Sequence, residues 1–339
     1  MKEITDQIEQ GIQDLFNSEK YKKYLNTMSK FHDYSPNNII LIAMQNPDAR
    51  YVAGYQSWKK NFERNVKKGE KGIRIIAPAP YQITVNQEVK DSQGNSVIGP
   101  NGKPETQEVK MKIPAYRIVT VFDVSQTDGK ELPKIVHELS GNVKNYDLFM
   151  NAVKEISPVP IEYANISSGA KGYFSSANQK IVLKNGMSEM QTAKTMIHEL
   201  AHSKLHDALN NPNISEKDRR TKEVEAESIA YTVCQYYGLD TSEYSFGYIA
   251  TWSSDKELPE LKKSLDTIRS TAANIINGID EQLEVLQNNK ESQIEKFSED
   301  KSKKSSVLAQ LAHNKDILKS VSKNETEKGK KLELERSCK

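Results

Sequence analysis

Three of the six histidines of this chain fall within nine residues, in the segment "TMIHELAHSKLHD". His198 and His202 are four residues apart, so on a helix both imidazoles project from one face and can bind a single metal ion. Glu199 lies beside them, placed to reach water at that ion. Zinc lowers the pKa of water, and a glutamate can take the proton while a peptide carbonyl is attacked. The spacing predicts a zinc peptidase site with Glu199 as general base; the alternative is an ordinary amphipathic helix.

A catalytic zinc ion needs a third protein ligand, and the segment "KEVEAES" is its best source. Glu223 and Glu227 are four residues apart and share a helix face, whereas Glu225 is expected to point elsewhere. We predict Glu223 as the third ligand and Glu227 as an acceptor that orients a histidine N–H. His206 continues the face of His202 and is predicted to lie next to the ligands, although it can also ligate in place of a glutamate.

Two further features of a peptide-cleaving site are open to prediction. In zinc peptidases the strand before the metal-binding helix is commonly an edge strand that pairs with the substrate backbone, and "KIVLK" is suitably placed. Tyr173 or Tyr231 can stabilise the oxyanion, and the residues do not decide between them.

A second cluster of functional residue types lies between Arg50 and Arg74, where eight basic residues stand against two acidic ones. Four aromatic residues are interleaved with them at steps of four, three and four. Positive charge follows a phosphate backbone while aromatic faces stack on unpaired bases, so the segment predicts single-stranded DNA binding. The predicted contacts are Tyr51, Tyr55, Trp58, Lys59, Lys60, Arg64, Lys67, Lys68, Lys71 and Arg74. The alternative is that the aromatic stripe is a core face surrounded by solvated lysines.

Composition restricts the class of protein. A net charge of +2 over 339 residues predicts no partner by itself, so any basic surface must come from local clustering. The polar N-terminus is no secretory signal, and no apolar run approaches a membrane span, so no membrane contact is expected. The two cysteines, Cys234 and Cys338, lie far apart and fit a reducing cytoplasm. We therefore expect a cytoplasmic protein.

The order of elements predicts an α+β fold with two domains, since strands precede a helical half. Residues 1–130 are predicted to form a small α+β domain. It begins with helix over residues 1–33 and a short helix capped by Ser35. Next come a helical segment, which contains the basic residues, and two strands joined by a polar hairpin loop. The segment "SQTDGKELPK" reads as a linker.

The second predicted domain, residues 135–290, carries the HELAH helix. A helix, two short strands, the HELAH helix and a helix closed by Gly238 follow one another. From Leu261 apolar residues recur every three or four positions, which predicts a long amphipathic helix as a C-terminal extension. Residues 291–339 are rich in Lys, Glu and Ser and are predicted to be a weakly ordered tail.

Two parts of the sequence resemble a known family. "YSPNNIILIAMQNPDARYVAGYQSWKKNFERNVKKGEKGIRIIAP" resembles the N-terminal domain of ArdC-type antirestriction proteins, as does "VFDVSQTDG". "MIHELAH" with "EVEAESIAYTVCQYYG" resembles their zincin-like metallopeptidase domain, which is related to the ImmA/IrrE metallopeptidases. The resemblance covers about residues 20 to 250. It implies a metal motif at His198, Glu199 and His202, with the downstream glutamate at Glu223.

The resemblance also implies a function. It points to an antirestriction protein of a mobile genetic element that binds single-stranded DNA and carries a zinc-dependent metallopeptidase acting on an unidentified protein substrate. Two alternatives remain open: an ImmA-like protease that cleaves a repressor, and a non-enzymatic single-stranded DNA-binding protein with a structural zinc ion.

Overall fold

The computed structural model describes residues 2–132, 143–207, 209 and 217–286. Residues up to Ile279 form one compact unit, and the described part of a second unit is the helix end at residues 280–286. The predicted tail over residues 291–339, with Cys338, lies outside the described residues. The predicted domain boundaries near residues 130 and 290 stay a prediction.

The chain opens with two helices where one was predicted. The first three helices are α1, Lys2–Leu15; α2, Ser18–Lys30; and α3, Pro36–Gln45. Asn17 separates α1 from α2, because its side chain accepts a hydrogen bond from the Glu19 amide and caps α2. The predicted start of α3 is confirmed: Ser35 is the cap, and Pro36 lies in the first turn.

A small β-rich region follows. Its elements are β1, Val52–Gly54; α4, Tyr55–Asn61; β2, Arg64–Val66; β3, Ile73–Pro78; β4, Tyr81–Glu88; β5, Thr106–Ile113; β6, Tyr116–Asp123; and β7, Thr127–Gly129. A central strand β6 pairs antiparallel with β1 and β3. Two strands joined by a loop were predicted here, but the structure has four, because β4 and β5 pair with each other beyond the β3–β6 pair.

Two other predictions for this region are wrong. The segment from Arg50 to Gly72 was expected to be helical, but only α4 is a helix, because β1 and β2 on either side of it pair with β6 and β7. The predicted linker begins inside the folded region, since β7 pairs with β2. Pairing with distant strands outweighs the local helical pattern here.

The remaining elements surround the HELAH helix. They are α5, Val143–Glu155; β8, Ile161–Ala164; β9, Gly172–Ser175; β10, Lys180–Lys184; α6, Glu189–Leu205; α7, Arg219–Tyr236; α8, Ile249–Ser253; and α9, residues 258–286. The strand β10 is central, because it pairs in parallel with β8 and antiparallel with β9. The prediction that "KIVLK" is an edge strand is therefore wrong, and the edge next to the HELAH helix is β9.

The helix α7 lies at the centre of the compact unit. It packs against α6 on one side and against α2 on another, where the Tyr21 hydroxyl and Ser228 Oγ lie 2.8 Å apart in the core. The N-terminal helices therefore support the same helix that carries the predicted third ligand. None of the helices among the described residues combines the length and the apolar character needed to cross a membrane.

Candidate metal centre

The helix α6 places the two predicted histidine ligands on one face. Ser188 caps the helix by accepting a hydrogen bond from the Gln191 amide. The opposite face buries Met196, Ile197 and Leu200, each fully inaccessible to solvent. This apolar anchor leaves the imidazoles of His198 and His202 half-buried, with their Nε2 atoms 3.1 Å apart, and His198 lines a cleft.

The helix α7 brings the predicted third ligand to the same point. Glu223 Oε2 lies 3.7 Å from His198 Nε2 and 3.6 Å from His202 Nε2. Among the described residues, these three side chains form a group whose ligand atoms all lie within 4.8 Å of one another. The two histidines hold the pKa of the Glu223 carboxyl well below its usual range. Helix α7 thus completes a three-residue cluster that α6 cannot form alone.

The cluster fits a divalent metal ion by geometry and by donor type. Ligand atoms about 2.1 Å from a tetrahedral zinc ion lie about 3.4 Å from one another. The observed separations of 3.1, 3.6 and 3.7 Å lie close to that value. Two imidazole nitrogens and one carboxylate oxygen also match the protein ligands of catalytic sites that keep a fourth position open. The site can therefore hold a divalent metal ion.

Glu199 is buried beside the cluster. Its side chain is aligned by the backbone N–H of Phe174 in the edge strand β9, which donates to Oε2 at 2.9 Å. Burial raises the pKa of the Glu199 carboxyl, and the nearby His198 and His202 oppose that rise only in part. A carboxyl with a raised pKa next to a metal site is suited to accept and release protons.

The cleft beside the cluster has a volume of about 350 Å³. Its walls include Gly172 at the edge strand β9, Thr195 and Lys194 of α6, and Tyr244 from the segment after α7. Of the two predicted oxyanion residues, Tyr173 is exposed on β9, whereas Tyr231 is only 3% exposed and packs against aromatic rings. A buried Tyr231 cannot contact a substrate in the cleft.

Glu227 has a different partner from the predicted one. It lines the cleft, as its shared face with Glu223 requires. Its Oε2, however, accepts a hydrogen bond from the Tyr248 hydroxyl at 2.6 Å. Because Glu227 lies one helical turn beyond Glu223, it reaches the segment before α8, and a different carboxylate serves the histidines.

That carboxylate is Glu225, whose side chain was expected to point away from the face shared by Glu223 and Glu227. His206 Nδ1 lies 2.9 Å from His202 Nδ1, so His206 occupies the predicted place next to a ligand histidine. On its other side, His206 Nε2 lies 3.1 Å from the Glu225 carboxylate. Glu225 is completely buried, which its position between Glu223 and Glu227 in the sequence did not indicate.

The aromatic stripe of the basic segment is a core face. Trp58 is completely buried, donates from Nε1 to the Phe122 carbonyl at 2.9 Å, and contacts the rings of Tyr51 and Phe62. The prediction that Trp58 stacks on DNA bases is wrong, because its ring has no accessible face. Tyr55, by contrast, is 53% exposed and remains available to a ligand.

Three of the predicted basic contacts are engaged within the protein. Arg64 donates through its guanidinium to Thr127 and to carbonyls of the β7 segment. Lys67 donates to the Ser125 carbonyl at 2.9 Å, and Arg74 lies 3.7 Å from Glu3. Arg64 therefore holds the β2–β7 pair together. Lys67 and Arg74 remain exposed despite these contacts, and the other exposed predicted contacts among the lysines are Lys59, Lys60, Lys68 and Lys71.

Known proteins provide an independent comparison. Residues 1–122 match the family described as the N-terminal domain of anti-restriction factor ArdC. Residues 158–238 match the IrrE N-terminal-like domain of the M78 peptidases. The two matches support the resemblance to ArdC-type proteins. The predicted resemblance is confirmed, and so is the predicted order of an ArdC N-terminal domain and a metallopeptidase-like domain in an α+β fold.

Individual proteins are similar to this chain at identities of 18% to 30%. The chain is 30% identical over 322 residues to the uncharacterized protein pXO2-81 of Bacillus anthracis, and the match covers 86% of the chain and 53% of that protein. The chain thus spans about half the length of this curated relative. The crystal structure of the metal-free antirestriction ArdC protein from the R388 plasmid is similar with 21% identity and a TM-score of 0.44. For its Mn(II)-bound form the identity is 18% and the TM-score 0.40; each match covers 74% of this chain and 85% of the other.

Proposed function

We propose that this chain is a cytoplasmic antirestriction protein of a mobile genetic element, with a zinc-dependent peptidase site and a surface for single-stranded DNA. The observation that carries the peptidase proposal is the convergence of His198, His202 and Glu223 next to the buried Glu199. Zinc, when bound there, supplies a Lewis acid that polarises a peptide carbonyl and lowers the pKa of water.

The residues of the chain account for the remaining chemistry. The Phe174 amide engages Oε2 of Glu199, which leaves Oε1 to take a proton and return it to the departing amine. Because Phe174 belongs to the edge strand β9, a peptide that pairs with that edge lies beside the Glu199 carboxylate. The cleft lined by Gly172, His198 and Glu199 is open to such a peptide.

Two observations favour catalysis over a structural zinc site. Structural sites are closed by four protein ligands, whereas the described residues bring three together here. A structural site also has no use for a carboxylate held by a hydrogen bond beside an open coordination position. A repressor protein remains the alternative substrate, because nothing in the cleft distinguishes one folded target from another.

Replacing Glu199 tests the peptidase proposal. The zinc-loaded protein and its Glu199→Gln variant would be incubated with a proteome-derived peptide library, with and without single-stranded DNA, and cleavage read by mass spectrometry. We expect the variant to keep zinc but to cleave about 10²- to 10⁴-fold more slowly. Glu189→Gln, an exposed glutamate on the same helix, is the control and should cleave like the wild type. Equal cleavage by the wild type and the Glu199 variant would refute the assigned role.

The same variant separates proteolysis from protection. If Glu199→Gln protects incoming DNA from restriction as well as the wild type does, the peptidase is not the mechanism of antirestriction. In that case, single-stranded DNA binding alone carries the function.

The DNA proposal is supported by the ArdC N-terminal domain and by four exposed lysines near the exposed Tyr55 in sequence. Removing a lysine that neutralises one phosphate should reduce the slope of log affinity against log salt by about 0.7 for a single strand. We expect the variant with glutamine at all four positions to bind an oligonucleotide more weakly and with a smaller slope. The changed positions are Lys59, Lys60, Lys68 and Lys71.

A matched variant controls for the reduction in net charge. It carries glutamine at four exposed lysines elsewhere in the compact unit and should keep the wild-type slope. These control positions are Lys2, Lys23, Lys154 and Lys263. Binding that is insensitive to salt, or an equal reduction of affinity in the two variants, would contradict the proposed surface.

A further inference from the structure

Glu225 is a fully buried carboxylate with a complete set of partners. Lys217 Nζ lies 2.7 and 2.8 Å from its two oxygens, and Ser264 Oγ donates to Oε1 at 2.8 Å. His206 Nε2 lies 3.1 Å from Oε2. A buried carboxylate contacted by three side chains is held in one position.

The Glu225 carboxylate is connected to the metal cluster through the rings of His206 and His202. His206 is 4% exposed, and its Nδ1 faces Nδ1 of His202. When Nε2 of His202 serves as a metal ligand, its proton must be on Nδ1, which then donates to His206. His206 in turn keeps its own proton on Nε2 and donates to Glu225. Each hydrogen bond requires the next, so the Glu225 carboxylate selects the tautomer and the orientation of the His202 ring.

The far end of this connection lies outside both matched domains. Ser264 belongs to α9, which follows the IrrE-like domain at residues 158–238. The first turns of α9 bury Leu265 and Ile268 in the compact unit. Farther along, the Ile276 carbonyl accepts a hydrogen bond from Tyr237. Packing of α9 therefore determines where the Ser264 hydroxyl meets Glu225.

We propose that Glu225 is a positioning residue for the metal ligand His202 and acts through His206. The helix α9 contributes to the metal centre through the hydrogen bond from Ser264 to Glu225. The proposal rests on the metal site of the proposed function but is independent of whether that site cleaves peptides. It assigns a role to the helix that neither matched domain includes.

Metal affinity of the full chain tests this proposal. Zinc would be titrated in competition with a chromophoric chelator, and the visible absorption spectrum of the Co(II)-loaded protein would report the geometry of the ligands. Glu225→Gln keeps the shape of the side chain but not its charge. We expect it to weaken zinc binding about 10- to 100-fold and to shift the Co(II) bands. Ser264→Ala should change both readouts in the same direction by a smaller factor.

The control variant separates positioning from a simple decrease in stability. Ser228→Ala removes a buried hydroxyl from the same helix α7, where its partner is Tyr21 and not the metal cluster. We expect it to lower the melting temperature of the metal-free protein while zinc affinity stays within about threefold of the wild type.

Three outcomes are decisive. Unchanged Co(II) bands and zinc affinity in Glu225→Gln would overturn the proposal while leaving the metal site intact. An equal reduction of affinity in Ser264→Ala and Ser228→Ala would assign Ser264 a purely structural role and would also overturn it. Failure of the folded wild type to bind zinc or Co(II) would refute the metal site itself, and the proposal with it.

Discussion

The metal cluster and the basic segment 50–74 hold their side chains in opposite ways. In the cluster, side chains from α6 and α7 converge on one point, with donor atoms separated by 3.1 to 3.7 Å. In the basic segment, the predicted residues diverge: Trp58 is completely buried, Arg64 holds two strands together, and the lysines are exposed. The cluster offers donor atoms to a cation, whereas a buried ring is stabilising without any ligand.

This difference separates two kinds of effect. Variants in the cluster should change metal binding far more than folding, because the donor atoms are spaced to bind an ion and lie at the edge of the core. Variants in the basic segment should change either folding or DNA binding according to which side of the surface a residue occupies. Substitutions at Glu223, Trp58, Tyr55 and Asp218 test that division, in decreasing order of the change that we expect.

The strongest change is expected at Glu223. Replacing it with alanine removes one of three ligands, so zinc affinity should fall by more than about 100-fold, the upper end of the effect of removing an outer partner. Glu227→Gln, one turn away and bonded to Tyr248, should stay within about threefold of the wild type. Competition with a chelator measures both. Weaker zinc binding by Glu227→Gln than by Glu223→Ala would mean that α7 presents the wrong glutamate to the metal.

Trp58 should be the largest contributor to stability in the basic segment. Truncating a fully buried tryptophan to alanine costs about 3–5 kcal/mol in the free energy of unfolding, so Trp58→Ala should shift urea denaturation strongly. Tyr55→Ala, at an exposed position, should change stability by less than about 0.5 kcal/mol. If both variants unfold at the same urea concentration, the segment has no distinct core side.

Tyr55 is instead expected to affect DNA. Stacking of a base on an exposed aromatic ring contributes about 1–3 kcal/mol, so Tyr55→Ala should weaken oligonucleotide binding by a corresponding factor at fixed salt. Tyr55→Phe keeps the ring and should bind like the wild type. Weaker binding by Tyr55→Phe would point to the hydroxyl and against stacking.

The smallest effect is expected at the N-terminal cap of α7, the helix that carries Glu223. Burial alone would raise the pKa of Asp218, but the hydrogen bonds from Thr221 and the nearby Lys256 lower it from 3.8 to about 2. Because the folded-state pKa is depressed, the contribution to stability is complete above the unfolded value of about 3.9 and is lost as pH falls toward about 2. Asp218→Ala should cost about 0.5–2 kcal/mol at pH 7.

Urea unfolding at pH 7 and at pH 3 checks this prediction. The difference in stability between the wild type and Asp218→Ala should shrink as pH falls. Asp6→Asn is the control, because that carboxylate is exposed in the middle of α1 and caps no helix. A difference that grows on acidification would contradict the assigned cap.

The sequence was most informative where geometry is local. The histidine spacing needs only the period of a helix, so α6 carries His198, Glu199 and His202 as predicted, and the shared face of Glu223 and Glu227 follows from α7. The same reasoning failed for the aromatic stripe, because a period of three or four residues gives a face without saying whether that face meets water or a core.

The predictions for the strand "KIVLK" and for Glu225 were wrong for a related reason. Whether a strand is central or at an edge depends on partners that can lie far away in the chain, here β8 and β9. Whether Glu225 of α7 is exposed to solvent or buried depends on its packing against α9 and His206. Neither kind of contact is encoded in the spacing of nearby residues.

The donor groups, the α+β class and the ArdC-type domain order could be predicted from the amino-acid sequence, because each follows from helical period, residue chemistry or motif order. Which face of each element is buried could not, because burial depends on packing between distant segments. That packing makes Trp58 a core residue where the sequence predicted a DNA contact. It also brings Glu225 and Ser264 into contact behind the metal ligands.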